Sequence, residues 1–230
     1  MQAPAGFWRR YAAYSLDAAA VVLLASPLLA WRGLRDWPDL TTRFEALQMR
    51  LLERLEATLA EAGDLFAAVT RALSDPALRE GITSLAEALA RLLGFGAVVL
   101  FAVAALWFIP TEASRAQASP GKRAAGLWVT DLGGQACGRG RIVLRFVAGV
   151  GSWLSFNLGH AMAAWTPGKR ALHDYIAGTR VQLAPGADPA MPRWARSWLL
   201  LQAALFCGFN AYVLLAYAAL LWEAVQTGLP

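Results

Sequence analysis

Asp17 lies in a run of apolar and small residues from 11 to 31, seven positions after Arg10. A carboxylate in hydrocarbon is costly to keep charged, and desolvation raises its pKa. Such a group serves either as half of a structural ion pair or as an ion or proton site. Arg10 stands about 10.5 Å away along a helix, on the same face. Both side chains tilt toward the helix N-terminus, so Arg10 points away from Asp17. A cation from another segment is therefore needed, and Arg145, at the start of a later apolar stretch, is the first choice. Asp174 follows His173 and lies one turn after Lys169 and Arg170; it either pairs with Arg10 or caps a local turn.

His160 and His173 are the two histidines, and Cys137 and Cys207 the two cysteines; none has the spacing of metal ligands. His160 reads as an interhelical hydrogen bonder or, in a sharper reading, a proton relay. Enzymatic motifs are absent. The two Gly-Lys pairs lack the upstream Gly and downstream Ser or Thr of a phosphate-binding loop, and no Gly-x-Ser-x-Gly elbow occurs. No catalysis and no cofactor are expected.

The elements that position these residues begin with a repeat. Ser119-Pro120-Gly121-Lys122-Arg123-Ala124 returns as Thr166-Pro167-Gly168-Lys169-Arg170-Ala171. Pro-Gly favours a tight turn, and Lys-Arg beside lipid favours the cytoplasmic headgroup layer, so both copies are expected on the inner face of a bilayer. Bulk composition agrees: 57% of 230 residues are hydrophobic, 16% are charged and mean hydropathy is +0.42. A net charge of +5 sits at the ends of apolar segments, which suits anionic inner-leaflet lipids and excludes nucleic acid as partner.

Four apolar segments follow. Residues 11–31 span marginally, because Asp17 offsets much of the contribution of their Leu and Val residues; a signal peptide is the alternative reading. Residues 92–109 are uncharged and stop at Pro110, and residues 197–222 are flanked by Trp194, Trp198 and Trp222; both are expected to span, with Gln202 and Asn210 as interhelical hydrogen bonders. Residues 142–165 are interrupted by Gly149, Gly151, Ser152, Ser155, Asn157, Gly159 and His160, and have basic residues on both sides. A broken or re-entrant segment satisfies the positive-inside rule there.

Residues 36–91 change composition, with Arg, Asp and Glu among Leu at helical spacing, and read as an extracytoplasmic helical hairpin. Thr42 with Glu45 suggests a capping box, Asp75-Pro76 a second helix start, and Leu51, Leu52, Leu55 and Leu59 a stripe that either packs internally or forms an oligomer or partner seam. Residues 126–131 and 177–183 each resemble a short strand, expected to pair into a small cytoplasmic ribbon.

Residues 6–17 (GFWRRYAAYSLD), the SPGK block ahead of LWVTD at 127–131, and residues 170–179 (RALHDYIAGT) resemble, in order, the RDD family of small membrane proteins. The resemblance covers about residues 6–185 and places the arginine and two aspartates that name the family at Arg10, Asp17 and Asp174. It implies a membrane protein and, for some relatives, monovalent cation/proton antiport. The acidic hairpin and the fourth span depart from the compact pattern.

The sequence thus predicts an all-α integral inner-membrane protein with a cytoplasmic N-terminus, three full transmembrane helices, a broken or re-entrant third apolar segment, the hairpin and the ribbon. Its parts are 1–35, 36–91, 92–185 and 193–230. Two functions stand: an accessory or scaffold protein binding membrane partners or a second copy through the hairpin, and an ion-coupled transporter using Asp17.

Overall fold

The computed structural model describes residues 4–62 and 65–227, apart from the side chains of residues 59, 61, 62, 65, 67, 68, 72 and 227. Among the described residues, three helices are long and apolar enough to cross a membrane: α1 (Phe7–Ala62), α3 (Pro76–Glu112) and α8 (Arg193–Thr227). Between them lie α2 (Leu65–Ser74), the one-turn α4 (Pro120–Ala124), β1 (Leu127–Asp131), α5 (Arg139–Leu154), α6 (Leu158–Ala161), α7 (Leu172–Ala177) and β2 (Thr179–Leu183). The chain packs as two units, residues 1–19 with 107–230, and residues 20–106.

In the second unit α1 runs uninterrupted through the change of composition near residue 36. Pro27 and Pro38 both lie inside it. The Thr42–Glu45 capping box does not open a helix: Thr42 Oγ1 donates back to the Pro38 carbonyl at 2.9 Å, and Thr41 Oγ1 does the same at 2.9 Å. Arg32–Asp36 (2.6 Å) and Asp39–Arg43 (2.8 Å) at i,i+4 spacing carry the helix past the proline. Asp75 does cap α3, its Oδ1 accepting from Ala77 N at 2.7 Å and Leu78 N at 3.3 Å, with Pro76 opening the helix. The outer parts of α1 and α3 pack on each other. Arg54 meets Asp75 at 2.6 Å, Arg32 lies over the Phe95 ring, and a Cβ on Gly96 would touch Leu29 at 3.7 Å. Of the Leu stripe, Leu51 and Leu52 are exposed and Leu55 is half-buried; Leu59 lies outside the described side chains.

The first unit holds the folded core. β1 and β2 pair antiparallel with Val129 opposite Val181, forming the two-stranded ribbon expected from sequence, except that Ala177 closes α7 instead of opening β2. Gly178, at φ 63°, makes the left-handed turn between α7 and β2. Ala5 N donates to the Val181 carbonyl at 3.1 Å and Pro4 bridges Gln182, so these two residues lie along the ribbon. Leu127, Val129, Val181, Ile142 and Ala13 form the buried cluster, with Cys137 beside them.

The third apolar segment is broken. α5 ends at Leu154, Phe156 and Asn157 take left-handed backbone (φ 52° and 64°), and α6 with its following 3-10 turn leaves at 112° to α5. Asn157 N bonds the Ser152 carbonyl at 2.7 Å, satisfying part of the freed backbone. Gly159 permits the fold-back: a Cβ there would collide with Ser152 and stand 3.1 Å from Leu172 Cβ.

Candidate functional site

Asp17 reaches the core of the first unit on the inner face of α1 and is 1% exposed. Its carboxylate accepts from three neutral donors: Trp107 Nε1 at 3.0 Å, Ser119 Oγ at 2.5 Å and the Gly121 backbone N–H at 2.8 Å. The expected Asp17–Arg145 pair is not formed. Three well-placed donors replace a counter-ion, because hydrogen bonds to a carboxylate are charge-assisted and strong. Gly121 has to be glycine for this, since a Cβ would strike the Ala13 carbonyl oxygen and the Asp17 carboxylate carbon at 2.8 Å.

Arg145, 6% exposed on α5, bridges two other carboxylates. Nε donates to Glu112 Oε2 at 3.1 Å, and Nη1 donates to Asp174 Oδ1 and, at 3.1 Å, to Thr179 Oγ1. Arg10 meets the other oxygen of Asp174 at 2.6 Å, so the expected Arg10–Asp174 pair is present, and Arg10 Nη1 also donates to the Lys169 carbonyl. Lys122 Nζ contacts Glu112 Oε1 at 2.6 Å and Ser119 Oγ at 3.4 Å. A continuous chain results, from Arg10 through Asp174, Arg145, Glu112, Lys122 and Ser119 to Asp17. Its three cations balance its three carboxylates, which is how buried charge is tolerated.

Glu112, 5% exposed, is the member that sequence reading missed. Pro110 does not stop α3: Ala113 N reaches the Ile109 carbonyl at 2.9 Å, and Thr111 Oγ1 bonds the Trp107 carbonyl at 2.6 Å. The helix therefore carries Glu112 one half-turn further, into the core. The available signal was arithmetic: Arg10, Lys122 and Arg145 need three acids, and Asp17 and Asp174 supply two. Arg9 was also passed over. It is 6% exposed and ties the start of α1 to later loops, donating to Ala125 O at 2.6 Å and Asp188 O at 2.8 Å.

The two Pro-Gly-Lys-Arg copies diverge. Pro120 and Gly121 start α4, Lys122 turns inward and only Arg123 is exposed, so Lys122 is a network residue and not a headgroup contact. Pro167, Gly168 and Lys169 form a 3-10 turn with Gly168 at φ 73°. Lys169 Nζ donates to Ala164 O at 3.2 Å, while Arg170 stacks on Tyr175 and donates to the Asp174 carbonyl at 2.9 Å. Gln202 bonds Ser15 at 3.2 Å from α8, as expected of an interhelical link, and Trp198 joins it at 3.0 Å; Asn210 instead bonds Phe206 O in its own helix.

Burial opposes the charge on Asp174, but the Arg145 and Arg10 guanidiniums outweigh it and hold the carboxyl well below its usual range. Burial, reinforced by Arg145, pushes His173 well below the usual imidazole range, so it stays neutral. Tyr14, His160 and His173 stack in a column with centroids 4.8 Å apart at each step, and Trp153 Nε1 donates to Tyr14 at 3.0 Å. Two cavities of about 50 and 70 Å³ flank the column. Glu112 lines the first and Asp17 lines neither. Among the described residues no cluster of His, Cys, Asp and Glu could hold a metal ion.

Long apolar helices joined to a core that buries a balanced charge network define the class: a small membrane protein. Within it, the chain belongs to the RDD family, whose sequence model matches residues 4–178. No curated protein and no solved structure matches it.

Proposed function

We propose that the protein is a non-enzymatic accessory or scaffold protein of the inner membrane, which holds membrane partners through the 36–91 hairpin and α8. The observation that carries this reading is the state of Asp17, which is buried, held by three donors and lines neither of the two core cavities. A carboxylate so held serves assembly, joining the first span to the turn that follows the second. The hairpin adds exposed apolar side chains, Phe44, Met49 and Leu52 among them, of the kind that mark docking surfaces. Deleting residues 36–91 behind a short Gly-Ser bridge should leave a monodisperse protein that loses an oligomer or a co-purifying partner. Aggregation of the deletion would count against a separable docking element.

The N-terminus is assigned to the cytoplasm and the bent α5–α6 pair to a re-entrant segment, since basic residues flank both of its sides. In a background lacking Cys137 and Cys207, cysteines at the exposed positions Arg123 and Gly168 should both resist an impermeant thiol reagent in intact cells. Labelling of the Gly168 position alone establishes a straight crossing.

Monovalent cation/proton antiport is the second reading, favoured by one observation: Glu112 lines a cavity beside His160 and His173. Under it the acid that meets the cavity is Glu112, whereas Asp17 lines neither of the two core cavities. Sodium- or potassium-driven proton movement in proteoliposomes that is abolished by Glu112→Gln would replace the scaffold reading with transport.

A further inference from the structure

The larger of the two cavities differs from its neighbour in the charge it presents. Arg10, Lys122 and Arg145 all line it, and no Asp or Glu does. His160 and His173 line it as well, and the Nδ1 atom of each is buried without a hydrogen-bond partner. His173 is 5% exposed and pinned between His160 and the Asp174 turn, so its orphan nitrogen is not relieved by bulk water. A buried polar atom without a partner costs free energy, and two of them, on residues that line this cavity and its neighbour, point to a polar guest. Arg145 spends Nε and Nη1 on its two carboxylates, leaving Nη2 without an acceptor among the described residues.

We propose that this cavity is a binding site for a phosphate oxyanion, supplied either by a lipid headgroup or by free phosphate. The charge favours an anion: three cationic side chains line the space, the acids paired with them number two, Asp174 and Glu112, and neither acid lines it. The volume, about 70 Å³, corresponds to roughly two waters, enough for one oxyanion and too little for a drug-sized ligand. The lining offers donors of three kinds: guanidinium, ammonium and, in the matching tautomers, the imidazole Nδ1–H groups. An acceptor with oxygens on several sides uses them better than a spherical halide does. Access is at the start of α1, where Tyr11 lines the cavity and is 39% exposed within a cluster of Phe7, Trp8 and Tyr11. Aromatic clusters of this kind sit at headgroup depth, which places lipid phosphate within reach. The site does not depend on whether the protein acts as scaffold or transporter.

The test is thermal unfolding of the full chain in a neutral detergent at pH 7. Sodium phosphate is titrated against sodium chloride of equal ionic strength, and dioleoylphosphatidylglycerol against dioleoylglycerol, which has the same chains and no phosphate. A saturable rise in Tm of about 3–6 °C at ten times the Kd is expected in at least one arm. A rise with inorganic phosphate assigns the site to the group itself; a rise with the phospholipid alone assigns it to the headgroup. Ala163→Leu fills this cavity without touching a charge and should weaken the response at least tenfold, as should His160→Phe, which removes one donor but keeps a ring in the stack. No rise in either arm means that the cavity holds water only, and a rise that both variants retain places the phosphate elsewhere; each overturns the proposal.

Discussion

Replacing Asp17 by Asn tests the core of the structure with a change of almost no volume. The amide keeps one carbonyl oxygen, which can retain Trp107 Nε1 and the Gly121 N–H, both now on Oδ1. Its NH₂ group replaces Oδ2 and meets Ser119 Oγ, whose 2.5 Å bond must then be lost or reversed. A hydrogen bond to a charged acceptor contributes about 1.5–3 kcal/mol and a neutral one about 0.5–1.5. Losing the Ser119 bond and downgrading the other two sums to about 3.5–6 kcal/mol. Relief of the buried charge offsets part of this, leaving a net loss of about 2–4 kcal/mol. For a chain of this size the loss lowers Tm by about 5–15 °C. Thermal unfolding in detergent reads it directly, and the cycle with Ser119→Ala isolates the short bond, with a coupling of about 1–2 kcal/mol expected. A Tm within 2 °C of wild type, or strict additivity with Ser119→Ala, would refute the three-donor account.

Glu112→Gln strips the shared counter-ion from Lys122 and Arg145 and should destabilise by about 3–5 kcal/mol, a loss that Lys122→Met partly restores when the two are combined in thermal unfolding. The two equivalent glycines should respond unequally: Gly121→Ala drives a Cβ into Ala13 and Asp17, and is expected to abolish expression of folded protein. Gly168→Ala has open space and only its left-handed backbone to strain, so it should cost about 1–2 kcal/mol. His173 remains neutral in the fold, whereas in the unfolded chain it takes up a proton near pH 6.5; below that pH the unfolded state binds the extra proton and stability falls, by up to about 1.4 kcal/mol per pH unit. Tm should therefore drop between pH 7 and 5.5, and His173→Asn should lessen the drop. Asp174 makes no contribution to that slope, because its stabilisation is present above the unfolded carboxylate pKa and is lost only as pH falls through its much lower folded value.

The ribbon and the broken third segment were legible because each rests on local chemistry, alternating strand patterns in one and glycine and polar interruptions in the other; the Arg10–Asp174 pair was legible because a cation and an acid were both expected at the inner interface. The identity of Asp17's partners was not. Pairing rules look for an opposite charge, whereas here a backbone N–H, an indole and a hydroxyl do the same task, and such neutral donors leave no distinctive mark in a sequence. Glu112 escaped because Pro110 reads as a stop, yet a proline near the end of a helix removes only one N–H, and the Thr111 hydroxyl bonds a carbonyl in the turn before it. The unbroken course of α1 escaped for a related reason: the change of composition and the Thr42–Glu45 pair suggested a new helix start, but strong helix formers and i,i+4 ion pairs continued through it.

The core unit is assembled from both ends of the chain, with residues 1–19 completed only by residues beyond 106. Asp17 and the Gly121 N–H that holds it are 104 residues apart. At a synthesis rate of about 5–20 residues per second, the first helix emerges about 5–20 s before its donors exist. Through that interval a marginal span carries an acid with no partner, and Arg9 and Arg10 wait for loops still inside the ribosome. Biogenesis is thus the stage at which this fold is most exposed. The first helix must be sheltered by the insertion machinery, or held near the interface, until the second span delivers Trp107, Ser119 and Gly121 and draws the carboxylate inward.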